Sequence, residues 1–180
     1  PSTTSTFTRD EKVHEVLKLA RAYGPVGLRR SEEEQQRLLE LALDLESLSD
    51  DAPARISLSG RHNLLYSAAP GGSSGKLGPV DGKVTQEFVD DTTFINAVQL
   101  GPVKIALTAS RKVKDDRTLV VKFHRTTVYL FGNKVVEKEI GGGGVWKLVF
   151  AGTVIDEDET QKFVRILQTP SLFVIEQPLQ

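Results

Sequence analysis

Residues 94–109 read Phe94-Ile95-Asn96-Ala97-Val98-Gln99-Leu100-Gly101-Pro102-Val103-Lys104-Ile105-Ala106-Leu107-Thr108-Ala109. Phe94, Asn96, Val98 and Leu100 alternate with other residues. Gly101-Pro102 breaks the run, and Val103, Ile105, Leu107 and Ala109 then take up the same twofold phase. A period of two on both sides of a tight turn is the mark of an antiparallel hairpin with one buried face. The same phase recurs in Leu119, Val121 and Phe123, and again in Trp146, Leu148 and Phe150, with Lys104, Thr108, Lys122 and Lys147 on the opposite face. Turn signals at Pro79 to Gly82, Asp90-Asp91, Asp115-Asp116, Gly132-Asn133 and Gly141 to Gly144 punctuate the runs. So many short alternating strands imply a meander, and a long meander closes because closure removes its exposed edges. The expected fold is mainly β, an up-and-down antiparallel barrel of the lipocalin-like kind. With about eight strands its interior is either filled by side chains or holds one small ligand.

Upstream of residue 53 the period is helical. Thr8-Arg9-Asp10-Glu11 has the form of a capping box, followed by Val13, Val16, Leu17 and Ala20 and ended by Gly24-Pro25. Ser31-Glu32-Glu33-Glu34 repeats the device. Leu38, Leu41, Ala42, Leu45 and Leu48 then form an apolar stripe that Leu39 and Leu43 widen. The chain therefore divides into a stub at 1–7, two α-helices within 8–52 and a barrel over 53–180. The hydroxyl-rich, acid-free opening from Pro1 to Thr6 fits either a disordered segment or the stub of a transit peptide.

Net charge is −1 over 180 residues, which supplies no basic face for nucleic acid. The helical segment is acidic and the remainder mildly basic, permissive for contact with anionic headgroups. There is no cysteine, hence no disulfide framework and no thiolate chemistry. His14, His62 and His124 are the only histidines, without metal-binding spacing, and read as surface or hydrogen-bonded structural residues. No Gly-x-Ser-x-Gly elbow is present. Gly71-Gly72-Ser73-Ser74-Gly75-Lys76 lacks the first Gly and the final Ser/Thr of a phosphate loop, and reads as a flexible rim loop. The acidic run Asp156-Glu157-Asp158-Glu159 reads as a solvated turn. No catalytic residue, metal or cofactor is expected.

Several strands together resemble the plastid lipid-associated proteins (plastoglobulins, the plant "fibrillins"). Gly60-Arg61-His62-Asn63-Leu64-Leu65-Tyr66-Ser67 is similar to that family's opening strand, and Gly82-Lys83-Val84-Thr85-Gln86-Glu87-Phe88 to its next. Phe94 to Val98, Val120 to Phe123, Val164-Arg165-Ile166 and Ser171 to Ile175 come in the family's order, so that the likeness spans roughly 56–176. Two places depart from it: His62-Asn63 stands where a Trp is usual, and Leu167-Gln168-Thr169-Pro170 replaces an Arg-Gly-x-x-Gly turn. The resemblance implies a non-catalytic protein of plastoglobules, thylakoids or stroma that binds a carotenoid, quinone, fatty acid or other lipid. The alternative is a scaffold that coats lipid droplets or thylakoid membrane, or docks to a photosynthetic membrane complex.

The candidate ligand-binding residues are Tyr66, Phe88, Phe94, Asn96, Ile105, Phe123, Trp146, Phe150 and Arg165. The aromatic members fall in strands and either line a cavity or simply pack a core. Arg165, between Val164 and Ile166, either meets a ligand headgroup near the barrel mouth or is accounted for by an internal salt bridge or an outward direction.

Overall fold

Thr8 and Ser31 cap their helices as their sequences imply. Glu11 N donates to Thr8 Oγ1 and Thr8 N to the Glu11 carboxylate, and Ser31 and Glu34 repeat the exchange. The computed structural model describes residues 8–70, 74–77 and 79–179, so the expected stub at 1–7 lies outside the described residues. Helix α1 is Arg9–Tyr23 and α2 is Glu32–Leu43, with short 3-10 turns at Glu46–Leu48 and Pro53–Arg55.

Eleven strands follow among the described residues: β1 Gly60–Ser67, β2 Lys76–Leu77, β3 Val80–Asp81, β4 Lys83–Phe88, β5 Thr93–Leu100, β6 Val103–Val113, β7 Thr118–Leu130, β8 Asn133–Glu139, β9 Gly143–Ile155, β10 Gln161–Gln168 and β11 Leu172–Pro178. Eight of them close a ring in the order β1, β4, β5, β6, β7, β9, β10, β11, with β11 antiparallel to β1. This is the expected antiparallel barrel preceded by two helices. β2 and β3 form a small separate hairpin, and β8 hangs on the outer half of β7.

The two barrel ends differ. At one end the chain around Pro53–Arg55 enters the barrel, where Ala54, Ile56 and Leu58 pack with Phe88, Phe94 and Leu119. That end is plugged. At the other, the mouth, β9 begins only at Gly143, level with Lys122 of β7. A Cβ at Gly143 would lie 2.0 Å from Val121 O, so the strands cross there more closely than any side chain permits. Beyond that level the outer half of β7 pairs with β8 instead, and all seven β8 residues are exposed.

The helices cover the outside of β1, β9, β10 and β11. Val13, Val16, Leu17, Ala20, Leu38, Ala42 and Leu45 pack on Tyr66, Phe150, Val154, Val164, Ile166 and Val174. This explains the near-continuous apolar run Phe163 to Leu167, because β10 is buried on both faces. Arg9 fixes the approach: it donates to Leu48 O and Thr153 O and lies over the Phe150 ring, and a Cβ at Gly152 would collide with its guanidinium.

Two β-bulges correct the expected phase. Leu65 is the extra residue between the pairs Leu64↔Ile175 and Tyr66↔Val174. Val149 is the extra residue between Leu148↔Leu167 and Phe150↔Ile166. Each bulge turns the residues downstream of it to the other face. Tyr66 and Phe150 therefore point into the helix-covered core and not into the barrel. The acidic run is corrected as well. Asp156 is 5% exposed, not solvated, and accepts from Lys162 at 2.5 Å and from Arg21 of α1 at 2.7 Å. Burial pushes its carboxyl up, but the hydrogen bonds from Lys162 and Arg21 outweigh that and hold it well below its ordinary 3.8.

Asp156→Asn is expected to lower stability at neutral pH by about 1.5–3 kcal/mol, the worth of a hydrogen bond to a charged group. The folded carboxyl is depressed, so its contribution is complete above about pH 4 and is lost as pH falls through the folded value. Urea denaturation at several pH values should show the two proteins differing at neutral pH and converging in acid.

Candidate functional site

A cavity of about 300 Å³ opens inside the barrel at its mouth. Val84, Val98, Ile105 and Leu107 form one wall, and Phe123, Trp146, Leu167 and Phe173 the facing one. Leu77, carried over the rim by the β2–β3 hairpin, contributes from above. The rim loop is thus structured at 74–77 and 79–82 where sequence suggested flexibility, with Gly82 N donating to Gly75 O and Arg29 paired with Asp81. Residues 71–73 lie outside the described residues. The polar lining is sparse, namely Gln86 and Asn96 with Thr85, Thr126 and Thr169. An apolar cleft with a few convergent polar groups is the usual form of a small-molecule site.

Of the candidate residues, Asn96, Ile105, Phe123 and Trp146 line this cavity. Phe88 and Phe94 face inward but lie in the packed interior beneath it. Together they form an aromatic ladder, with His62–Phe88, Phe88–Phe94 and Phe94–Trp146 ring centres 5.2, 5.6 and 5.7 Å apart. Tyr66 and Phe150 are removed from the site by the bulges. Arg165 corrects its expectations differently. It points inward, makes no salt bridge among the described residues, and sits below the cavity rather than at its mouth.

Five polar side chains face the interior here. Arg165 Nη2 donates to Gln86 Oε1 at 2.5 Å, and Gln86 Nε2 donates to Asn96 Oδ1 at 3.0 Å. The Arg165 guanidinium lies 5.1 Å from the Phe88 ring centre, and that of Arg111 lies 5.5 Å from the same ring. Burial first, then Arg111, lowers Arg165 to about 9, so it stays a cation at neutral pH. His62 is fully buried; its Nε2 meets Ser59 O, and its Nδ1 has no partner. Burial, then Arg165 and to a smaller degree Arg111, pushes it down to about 3. His14 and His124 meet Ile155 O and Ser110 Oγ and are not part of the cavity lining.

Sequence reasoning missed Gln86, Arg111 and the depth of His62. The signal was present: each shares the phase of inward apolar neighbours, Gln86 with Val84 and Phe88, Arg111 with Leu107 and Ala109, His62 with Leu64. No family model, no curated protein and no solved structure matches the chain.

His62 makes the barrel sensitive to acid. Its folded pKa lies below its ordinary 6.5, so its stabilising effect is full above that value and declines as pH falls toward 3. Between pH 7 and pH 5 the loss from this residue is about 2 kcal/mol. His62→Leu should remove most of that dependence in urea denaturation at the two pH values. An unchanged pH dependence would mean that His62 is not held neutral.

Proposed function

We propose that the protein is a non-catalytic binder of one lipophilic molecule, a fatty acid, quinone, carotenoid or other lipid, in plastids at plastoglobules or thylakoids. The observation that carries this reading is the apolar cavity at the mouth of a barrel whose other end is plugged. The walls are Val, Leu, Ile and aromatic side chains, so the driving force is transfer of apolar surface out of water. The volume lies at the lower end of small-molecule pockets, which favours one chain or ring system over a long carotenoid enclosed from end to end. The location comes from the family resemblance alone.

A second reading has its own observation, the β7–β8 hairpin. Phe131 at its tip is 77% exposed and has a φ of +48°, a conformation disfavoured for a bulky residue. Leu130, Val135 and Val136 are exposed beside it, with Lys134 and Lys138 interspersed. An apolar tip with Lys138 beside it and Lys134 paired to Glu137 suits insertion at a lipid surface. It lies at the mouth end of the barrel, since Phe131 N donates to Pro102 O of the β5–β6 turn. Docking on droplet or thylakoid lipid is thus compatible with delivery of a ligand, or with a scaffold role.

Trp146 is the single tryptophan and lines the cavity, so its fluorescence reports occupancy directly. Titration of delipidated protein with a fatty acid or a short-chain quinone should give saturable one-to-one quenching. Leu107→Phe, which fills the cavity, should weaken it by about tenfold or more. Quenching absent, or indifferent to Leu107→Phe, counts against the binding reading. In vesicle flotation, Phe131→Ser with Val136→Ser should abolish recovery with anionic lipid while leaving that quenching intact; flotation unaffected by the pair removes the hairpin from the second reading.

A further inference from the structure

The barrel encloses a cation that no carboxylate among the described residues neutralises. Arg165 is 3% exposed, and its Nε has no hydrogen-bond partner. Its one hydrogen bond runs to the neutral amide of Gln86. No Asp or Glu side chain pairs with it among the described residues, and the charged group acting on it is a second cation, Arg111. Arg111 itself is accounted for. It donates to Asp91 O and Ile56 O, lies 3.7 Å from the Asp91 carboxylate, and fastens the plugged end. Nothing comparable explains Arg165, where an apolar side chain of similar volume would pack without burying a charge. An uncompensated guanidinium inside a barrel lacks an anion.

The cavity is the route by which one arrives. Arg165 is not on its wall, but Gln86 is, and Gln86 links the guanidinium to Asn96. Asn96 lines the cavity; its Oδ1 is taken by Gln86, and its amino group makes no hydrogen bond among the described residues. The floor thus offers N–H groups backed by a positive charge, under walls that suit an aliphatic chain.

We propose that the pocket takes an amphipathic carboxylate, a single acyl-type chain whose carboxylate descends to the Asn96–Gln86 floor with Arg165 as its counter-charge. Asn96 donates to one carboxylate oxygen, and the other approaches Arg165 as the Gln86 amide turns aside. The planar fork of a guanidinium matches a carboxylate. A quinone carbonyl or a hydroxyl can accept from Asn96 but leaves the charge of Arg165 unmet. This proposal rests on the reading of the cavity as a lipophilic-ligand site.

Dodecanoate and dodecanol share a chain and differ in the head. With the delipidated full chain and Trp146 fluorescence as the readout, dodecanoate should bind about 10- to 100-fold more tightly than dodecanol at neutral pH. Arg165→Met should bring the two within about threefold by weakening dodecanoate alone, and Asn96→Leu should reduce the preference in part. Equal binding of the two by the unaltered protein, or a preference that survives in Arg165→Met, overturns the carboxylate proposal and leaves the lipophilic-site reading standing. If neither compound binds the unaltered protein, the lipophilic-site reading itself fails. Should Arg165→Met not fold, carboxyl-¹³C dodecanoate bound to the unaltered protein decides instead. Its resonance should titrate well below the free acid if the head lies beside Arg165, whereas titration at the free value overturns the proposal.

Discussion

The pairing of β1 with β11 turns an open meander into a ring, and the rest of the molecule answers to the geometry of that ring. Register pairs from Asn63↔Glu176 to Ser67↔Phe173 leave no sheet edge along this seam. Closure also creates an interior that eight strands can enclose but need not fill. Here the filling is uneven. The chain at residues 54–58 and the aromatic ladder occupy the plugged end, and the mouth end stays open as an apolar cavity. The two helices solve a separate problem, the outward apolar face of β9, β10 and β11, and the Arg21–Asp156–Lys162 cluster holds them there.

The interior is not uniformly apolar. His62, Gln86, Asn96, Arg111 and Arg165 all face inward, in a region whose low polarisability makes each unpaired polar atom costly. Arg111 and His62 have partners that belong to the plug, whereas Arg165 is joined through Gln86 to the cavity floor. The division of labour follows the partners: Arg111 fastens the closure, and Gln86 and Asn96 face the space a ligand can enter. The His62 ring stays neutral because burial and two guanidinium groups oppose its protonation.

Much of this was legible in the chain. Capping boxes at Thr8 and Ser31, twofold phase from Phe94 onward and turn residues between runs lead directly to helices succeeded by a closed barrel. Four of the nine candidate site residues reach the cavity. The failures have one physical origin in Tyr66 and Phe150, since a bulge is a backbone event that leaves the composition of a strand unchanged while reversing its faces. Leu64-Leu65-Tyr66 and Leu148-Val149-Phe150 read equally well with or without the extra residue. Arg165 was assigned by type, as a residue that needs a partner, although its phase with Phe163 and Leu167 already placed it inside. Asp156 was hidden differently: its neighbours in sequence are solvated, and the cation that buries it comes from a helix 135 residues away.

Where the ligand sits is the point on which the functional reading turns, and intermolecular NOEs from a protonated acyl chain to a methyl-labelled, otherwise deuterated protein locate it directly. The expected result is NOEs from the chain to the methyl groups of Val98, Ile105 and Leu107, and none to Val135 and Val136. NOEs confined to the hairpin valines, or a bound chain that touches no methyl group of the barrel interior, would contradict the cavity as the binding site.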